Sequence, residues 1–103
     1  MKAFFVFTGS GPIVLLTSLD DITDPQLVQS LSRKGICKFV AHELPLETVK
    51  RKYGRHYDIV CKDWHETDEM RVLDYLGNRA FELFSFQEFG PPIYYEKARP
   101  APP

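Results

Sequence analysis

The sequence has little excess charge of either sign and few cysteines. Thirteen Lys and Arg residues stand against fourteen Asp and Glu residues, which leaves a net charge of −1 over 103 residues. This balance creates no long-range field that attracts nucleic acid or an anionic membrane, so we expect neither as a partner. The two cysteines, Cys37 and Cys61, are too few for the disulfide framework of a small secreted domain. We therefore expect a cytoplasmic protein.

Long hydrophobic runs are also missing. Residues 9–12, Gly-Ser-Gly-Pro, interrupt the apolar stretch near the N-terminus, and no small-x-small cleavage site follows, so the sequence predicts neither a membrane span nor a signal peptide. A length of 103 residues leaves room for one folded domain. The apolar share of 44% and the charged share of 26% are typical of a globular domain.

Aromatic residues are what the sequence has in excess. Eight Phe, five Tyr and one Trp make up 14% of the chain, and half of them lie from Tyr75 onward. Most of the functional interpretation depends on where these side chains go.

Strand and helix signals alternate along the chain. Helices are predicted over residues 24–34, where Thr23 offers an N-cap and Gly35 a stop, and over residues 45–53. Runs of β-branched and aromatic residues predict strands over residues 3–7, 13–17, 36–42, 56–61, 71–75 and 80–86.

These signals predict a single α+β domain with the order β-β-α-β-α-β-β-β. Helices between successive strands are typical of crossovers between parallel strands, so we expect a mixed sheet with two helices. The turn signature of residues 76–79 predicts a final β-hairpin. The domain is expected to cover residues 1–90, followed by a proline-rich tail over 91–103 that is mostly disordered after about residue 96.

Both faces of the predicted sheet are apolar. Alternation places Ala3 and Phe5 on one side of the first strand and Phe4 and Val6 on the other. Two short helices are few for two apolar faces. Three arrangements remain open: helices on opposite faces, C-terminal aromatic residues folded back over the sheet, or a second copy of the chain.

We expect a small protein-interaction or regulatory module that acts as a homodimer, without a cofactor and without catalytic residues. Its working surface would be the C-terminal aromatic region together with Trp64, which lies in a charged segment. The predicted interaction residues are Trp64, Phe81, Phe84, Phe86, Phe89, Tyr94 and Tyr95.

The alternative is a small-molecule or metal-binding protein, or a small enzyme, that uses His42 and a histidine and cysteine cluster. Thiolate and imidazole suit zinc or copper, and the metal candidates are His56, Cys61 and His65. Opposite parity of His56 and Cys61 along a strand argues against this site, and both cysteines, Cys37 and Cys61, fit buried positions.

A basic stretch near the end of the second predicted helix is the one candidate for anion binding. Its residues Lys50, Arg51, Lys52 and Arg55 carry charges that neutralise phosphate, although cations are also favoured at a helix C-terminus for structural reasons.

Overall fold

The described chain combines helices with an antiparallel sheet, as the α+β prediction requires. The computed structural model describes residues 1–55, 57–58 and 70–96, with the backbone alone for 70–76. The elements are β1 (Lys2–Thr8), β2 (Gly11–Thr17), α1 (Pro25–Arg33), β3 (Lys38–Leu44), α2 (Leu46–Tyr53), β4 (Met70–Leu73), α3 (Asp74–Leu83), a 3₁₀ turn (Phe86–Glu88) and β5 (Ile93–Glu96). The fold class and the order of the first five elements are confirmed. None of the helices in the described ranges is long and apolar enough to cross a membrane.

The sheet has the strand order β4-β2-β1-β3-β5, and every neighbouring pair is antiparallel. The prediction of a mixed sheet is therefore wrong. The connection through α1 does join two parallel strands, β2 and β3, but β1 lies between them and pairs with both. A crossover fixes the direction of its two strands, and it does not require them to be neighbours.

The N-cap of helix α1 lies one residue later than predicted. Asp24, not Thr23, is the N-cap, and its carboxylate accepts the backbone N–H of Gln26 at 2.9 Å. Thr23 instead donates its hydroxyl and its backbone N–H to Asp21. Gly35 ends the helix with a positive φ of 84°, as expected.

The predicted final hairpin is wrong, because residues 74–83 form helix α3. Gly77, read from the sequence as a turn residue, lies at a close helix–strand contact: a Cβ there would stand 2.5 Å from the Ile13 Cα and from the Pro12 carbonyl oxygen. Ala80 and Phe84 follow it at i+3 and i+7 and are buried. This is the spacing of one helix face, so α3 packs closely on β2.

The fourth predicted strand, over residues 56–61, is not supported at Tyr57 and Asp58, the two of its residues that the structure describes. Tyr57 and Asp58 have helical backbone, and the rest of that strand lies outside the described residues.

Strand β5 was not predicted, and it carries the sheet past residue 90, where the sequence places the end of the domain. Ile93–Glu96 pairs with β3 from Ala41 to Lys38. Ile93 and Tyr95 are half-buried, whereas Tyr94 and Glu96 are exposed. Residues 97–103 of the predicted tail lie outside the described part of the chain.

Helices cover both faces of the sheet. Phe4 and Val6 pack on the side of α1, and Ala3 and Phe5 pack on the side of α2 and α3, as the alternation in β1 predicts. The first of the three open arrangements, helices on opposite faces, is therefore the one present.

Candidate functional site

The covering on the α2 and α3 side is incomplete. Antiparallel register pairs Phe5 with His42 and Phe7 with Val40, which places these four side chains on one face of β1 and β3. Phe5 lies under the helices, whereas Phe7, two residues further towards the end of the strand, is 50% exposed. The floor of an open groove therefore begins at Phe5 and continues towards the Phe7 end of the strands.

Phe89 is the central ring of the groove wall. Its centroid lies 5.3 Å from Phe5 and 5.6 Å from His42, both in edge-to-face geometry. Phe81 of α3 meets Phe5 at 5.0 Å and 75°, and Phe86 meets Phe89 at 6.4 Å. Edge-to-face pairs at these separations are favourable, so the aromatic side chains hold one another in place.

Two hydrogen bonds fasten the other rim of the groove to β3. His42 donates its Nδ1–H to the Gly90 carbonyl oxygen at 2.8 Å, because a carbonyl can only accept. The Gly90 N–H donates in turn to the Glu43 carbonyl oxygen at 3.0 Å. The chain therefore leaves Phe89 along a defined path, and Pro91 and Pro92 form the far rim.

These residues enclose a groove of about 580 Å³, which we call the aromatic groove. It is lined by Phe5, Phe7, Val40, His42, Phe81, Phe86, Phe89, Gly90, Pro91 and Pro92. Tyr94 pairs with Val40 across the strands and so extends the same face towards the sheet edge. His42 is the one titratable side chain among the described lining residues.

Exposed aromatic side chains are concentrated at this groove. In the described ranges, the large apolar side chains that are exposed, besides Met1, are Phe7 at 50%, Phe81 at 56%, Phe86 at 88% and Tyr94 at 75%. Each carries about 150–250 Å² of surface, so the four leave several hundred Å² of aromatic surface in contact with water. Apolar patches of that size on a monomer are often functional.

The structure places the predicted interaction residues in three different environments. Phe81, Phe86 and Phe89 line the aromatic groove, and Tyr94 extends it. Phe84 and Tyr95 do not join this surface. Phe84 is buried against Tyr53, Tyr95 stacks on Phe39 on the α1 side, and Trp64 lies outside the described residues.

Sequence reasoning missed the contribution of β1 and β3 to this surface. Phe7 and Val40 were predicted only as members of strands in a sheet with two apolar faces, and Pro91 and Pro92 only as the start of the proline-rich tail, yet all four line the groove. Alternation placed Phe7 on the correct face, but which part of that face the helices leave open depends on helix length and position.

The four basic candidates are partly engaged in contacts within the chain. Lys52 donates to the Leu83 carbonyl oxygen, lies 3.6 Å from Glu88 and stands over the Phe84 ring. Lys50 lies 3.6 Å from Glu47 and over the Tyr57 ring. Arg51 and Arg55 are exposed on the surface. Anion binding at this stretch stays a prediction.

The metal candidates His56, Cys61 and His65 lie outside the described residues. Among the residues that are described, no group of three or more His, Cys, Asp or Glu side chains is placed to hold a metal ion. Cys37 was expected to be buried, and this is wrong: it precedes β3, is exposed, and has its Sγ 3.7 Å from the Ser32 hydroxyl.

A second, larger cavity of about 860 Å³ lies at the end of β1 and β2 that the turn of residues 9–12 connects. Thr8 stabilises this turn by donating its hydroxyl to the Gly11 carbonyl oxygen at 2.7 Å. The lining of this cavity includes Lys34, Lys38 and Asn78. All three are exposed, so they do not form a charged cluster with a buried side chain. Residues 9–12 join β1 to β2, whereas a phosphate-binding loop of the P-loop type leads from a strand into a helix.

No family model matches the chain, and neither the curated proteins nor the solved structures provide a match. The function must therefore be argued from the groove itself.

Proposed function

We propose that this protein is an interaction module whose aromatic groove binds an extended, proline-containing segment of a partner protein. The observation that carries the proposal is the concentration of exposed aromatic rings at one groove, where Phe7, Phe81 and Phe86 line it and Tyr94 extends its face, next to sheet faces that the helices cover elsewhere with buried cores.

The lining favours binding over catalysis. A nucleophile or general base needs a neighbouring group that activates it, and His42 is the one titratable residue of the described lining. Its Nδ1 is already bonded to the Gly90 carbonyl oxygen. The imidazole therefore positions the rim.

The shape and chemistry of the groove favour a proline-containing peptide. Polyproline segments dock in grooves lined by aromatic rings, because their preformed helix loses little conformational entropy on binding. The exposed rings of Phe7, Phe81 and Phe86 in the groove, with Tyr94 beyond it, offer surfaces for pyrrolidine rings.

A homodimer through the same surface is the form of this function that the sequence predicts. The argument for a dimer from an uncovered sheet face now rests on the aromatic groove, since α1 on one side and α2 and α3 on the other pack on the sheet. We keep the cytoplasm as the proposed location, because two cysteines are too few for a disulfide framework.

A small apolar molecule is the second candidate occupant. The groove volume of about 580 Å³ falls within the range of roughly 300–1,000 Å³ that is typical of small-molecule sites. A peptide is favoured because the exposed rings of Phe86 and Tyr94 continue the apolar surface outside the groove.

The proposal can be tested by selecting binders from a phage library of random dodecapeptides. We expect proline-rich and aromatic peptides that shift the amide NMR signals of Phe7, Val40 and Phe81, and that fail to bind Phe81→Ser and Phe86→Ser. The control is Ile36→Ser, which removes a half-buried apolar side chain on the α1 side. Selection of no peptide, or selected peptides that bind at residues outside the groove, would refute the proposal.

A further inference from the structure

We propose that the aromatic groove is occupied in the same molecule by the chain's own proline-rich segment, residues 99–103, which a partner peptide must displace. This inference rests on the proposed function, because it treats the groove as a peptide site. It adds the identity of one ligand and a regulatory consequence.

The segment has the chemistry that the groove selects. Its sequence is Arg-Pro-Ala-Pro-Pro, with prolines at positions 100 and 103 in the P-x-x-P spacing. Such a segment favours the polyproline II conformation, in which three residues complete one turn and every third residue faces the same side. Pro100 and Pro103 can then contact the aromatic floor together.

The described part of the chain ends close to the groove. β5 ends at Glu96, whose partner in β3 is Lys38, and Val40 of the groove floor lies two residues further along β3. A strand rises about 3.4 Å per residue and strands are about 4.8 Å apart, so Glu96 and Val40 lie about 8 Å apart along the sheet. Residues 97–103 span about 22 Å in the polyproline II conformation, which is enough to turn back across Tyr94 and Val40.

The apolar character of the groove explains why an internal occupant would be retained. Several hundred Å² of ring surface at Phe7, Phe81, Phe86 and Tyr94 is left in water by the described residues. Covering it removes an aggregation hazard, and a segment of the same chain does so without loss of translational freedom.

An internal occupant has a measurable consequence. A short tether keeps its ligand at a millimolar effective concentration. If the segment binds with an intrinsic Kd of about 0.1 mM, a partner peptide meets a groove that is about nine-tenths occupied, and its apparent affinity falls about tenfold.

The test compares three full-length proteins: the wild type, the variant Pro100→Gly/Pro102→Gly/Pro103→Gly, and the control Ala98→Gly/Ala101→Gly. The control makes the same segment more flexible but keeps every proline. We expect the triple variant to bind the phage-selected peptides about tenfold more tightly than the wild type, and the control to stay within about twofold. Relative to the wild type, the amide NMR signals of Phe7, Val40 and Phe81 should shift in the triple variant and stay in place in the control.

The free heptapeptide Lys-Ala-Arg-Pro-Ala-Pro-Pro provides a complementation experiment. Added to the triple variant, it should return those signals towards their wild-type positions and compete with the selected peptides. The wild-type signals should not change on dilution from 500 to 10 µM, because occupation within one molecule does not depend on concentration.

Each failure points to a different error. Equal peptide affinities and identical groove signals in the wild type and the triple variant would overturn the internal occupant while leaving the peptide-binding function in place. Signals that change on dilution would show that the segment binds a second copy, which also overturns it. Failure of every peptide to bind either protein would refute the proposed function itself.

Discussion

His42 and Gly90 are joined across 48 residues of sequence by one hydrogen bond of 2.8 Å, from the imidazole Nδ1–H to the carbonyl oxygen. This bond ties the segment that carries Phe89, Pro91 and Pro92 to the central part of β3. It is a tertiary contact at the rim of the aromatic groove, so the groove depends on it for its shape.

Replacing His42 with Leu should loosen this rim. The Gly90 carbonyl oxygen loses its partner, and we expect unfolding free energy to fall by about 1–2 kcal/mol. Exchange of the Gly90 amide hydrogen, which is bonded to the Glu43 carbonyl oxygen, should become faster. The control is Glu43→Gln, which alters only an exposed ion pair with Lys2 and should cost less than about 0.5 kcal/mol. Unchanged Gly90 exchange in His42→Leu would contradict this role.

Gly77→Ala tests the contact between α3 and β2. In an unhindered helix the change from Gly to Ala stabilises by about 0.5–1 kcal/mol. Here the new methyl group would lie 2.5 Å from the Ile13 Cα and the Pro12 carbonyl oxygen, so we expect a loss of at least about 2 kcal/mol. Gly9→Ala is the control, because nothing lies within 4 Å of its Cβ position. Urea unfolding of both variants gives the sign of the change in unfolding free energy. Stabilisation by Gly77→Ala would show that α3 does not pack on β2 as described.

Much of the framework of this fold could be predicted from local signals. Gly35 marks the end of α1, and alternation in β1 correctly separates Phe4 and Phe5 onto two faces. These features depend on backbone conformation and on the two-residue period of a strand, both of which are encoded within a few residues.

What could not be predicted depends on contacts between distant segments. The run that includes Ala80, Phe81 and Phe84 is apolar at both strand and helix spacing, and Gly77 serves a turn or a close helix packing equally well. The close packing of α3 on β2 at Gly77 decides in favour of the helix. In the same way, β5 exists because Ile93 and Tyr95 pack on the α1 side of β3, which lies about fifty residues earlier in the chain.

Glu88 should make stability depend on acid pH. Its carboxylate accepts the Ser85 N–H at 2.8 Å, and this bond, with Lys52 at 3.6 Å, lowers the pKa of Glu88. A lowered folded pKa contributes stability that is present above the unfolded value of about 4.3 and is lost as the pH falls through the folded value. Urea midpoints from pH 6 to pH 2.5 should therefore fall more steeply in the wild type than in Glu88→Gln. Salt at 0.5 M should reduce only the share due to Lys52, and parallel curves for the two proteins would contradict the prediction.

Phe84 and Phe86 should respond differently to the same substitution. Phe84 is 5% exposed and packs against Tyr53, so Phe84→Glu places a carboxylate in the core and should cost more than about 3 kcal/mol. Phe86 is 88% exposed, and Phe86→Glu should change stability by less than about 0.5 kcal/mol while weakening peptide binding at least tenfold. Thermal unfolding and peptide titration separate the two effects. For a homodimer, light scattering of Phe86→Glu is the informative measurement, since Phe84→Glu would disrupt the fold itself.

The neighbouring tyrosines of β5 provide a matched pair, because successive residues of a strand face opposite sides. Tyr94 shares the groove face with Val40, whereas Tyr95 stacks on Phe39 at 5.2 Å on the α1 side. Tyr94→Ser should weaken binding of the selected peptides about tenfold and leave the urea midpoint unchanged. Tyr95→Ser should lower the unfolding free energy by about 1–3 kcal/mol through lost burial and stacking, with peptide affinity within about twofold of the wild type. Equal losses of affinity in both variants would mean that β5 contributes to binding only by completing the sheet, and that the groove face does not extend to the sheet edge.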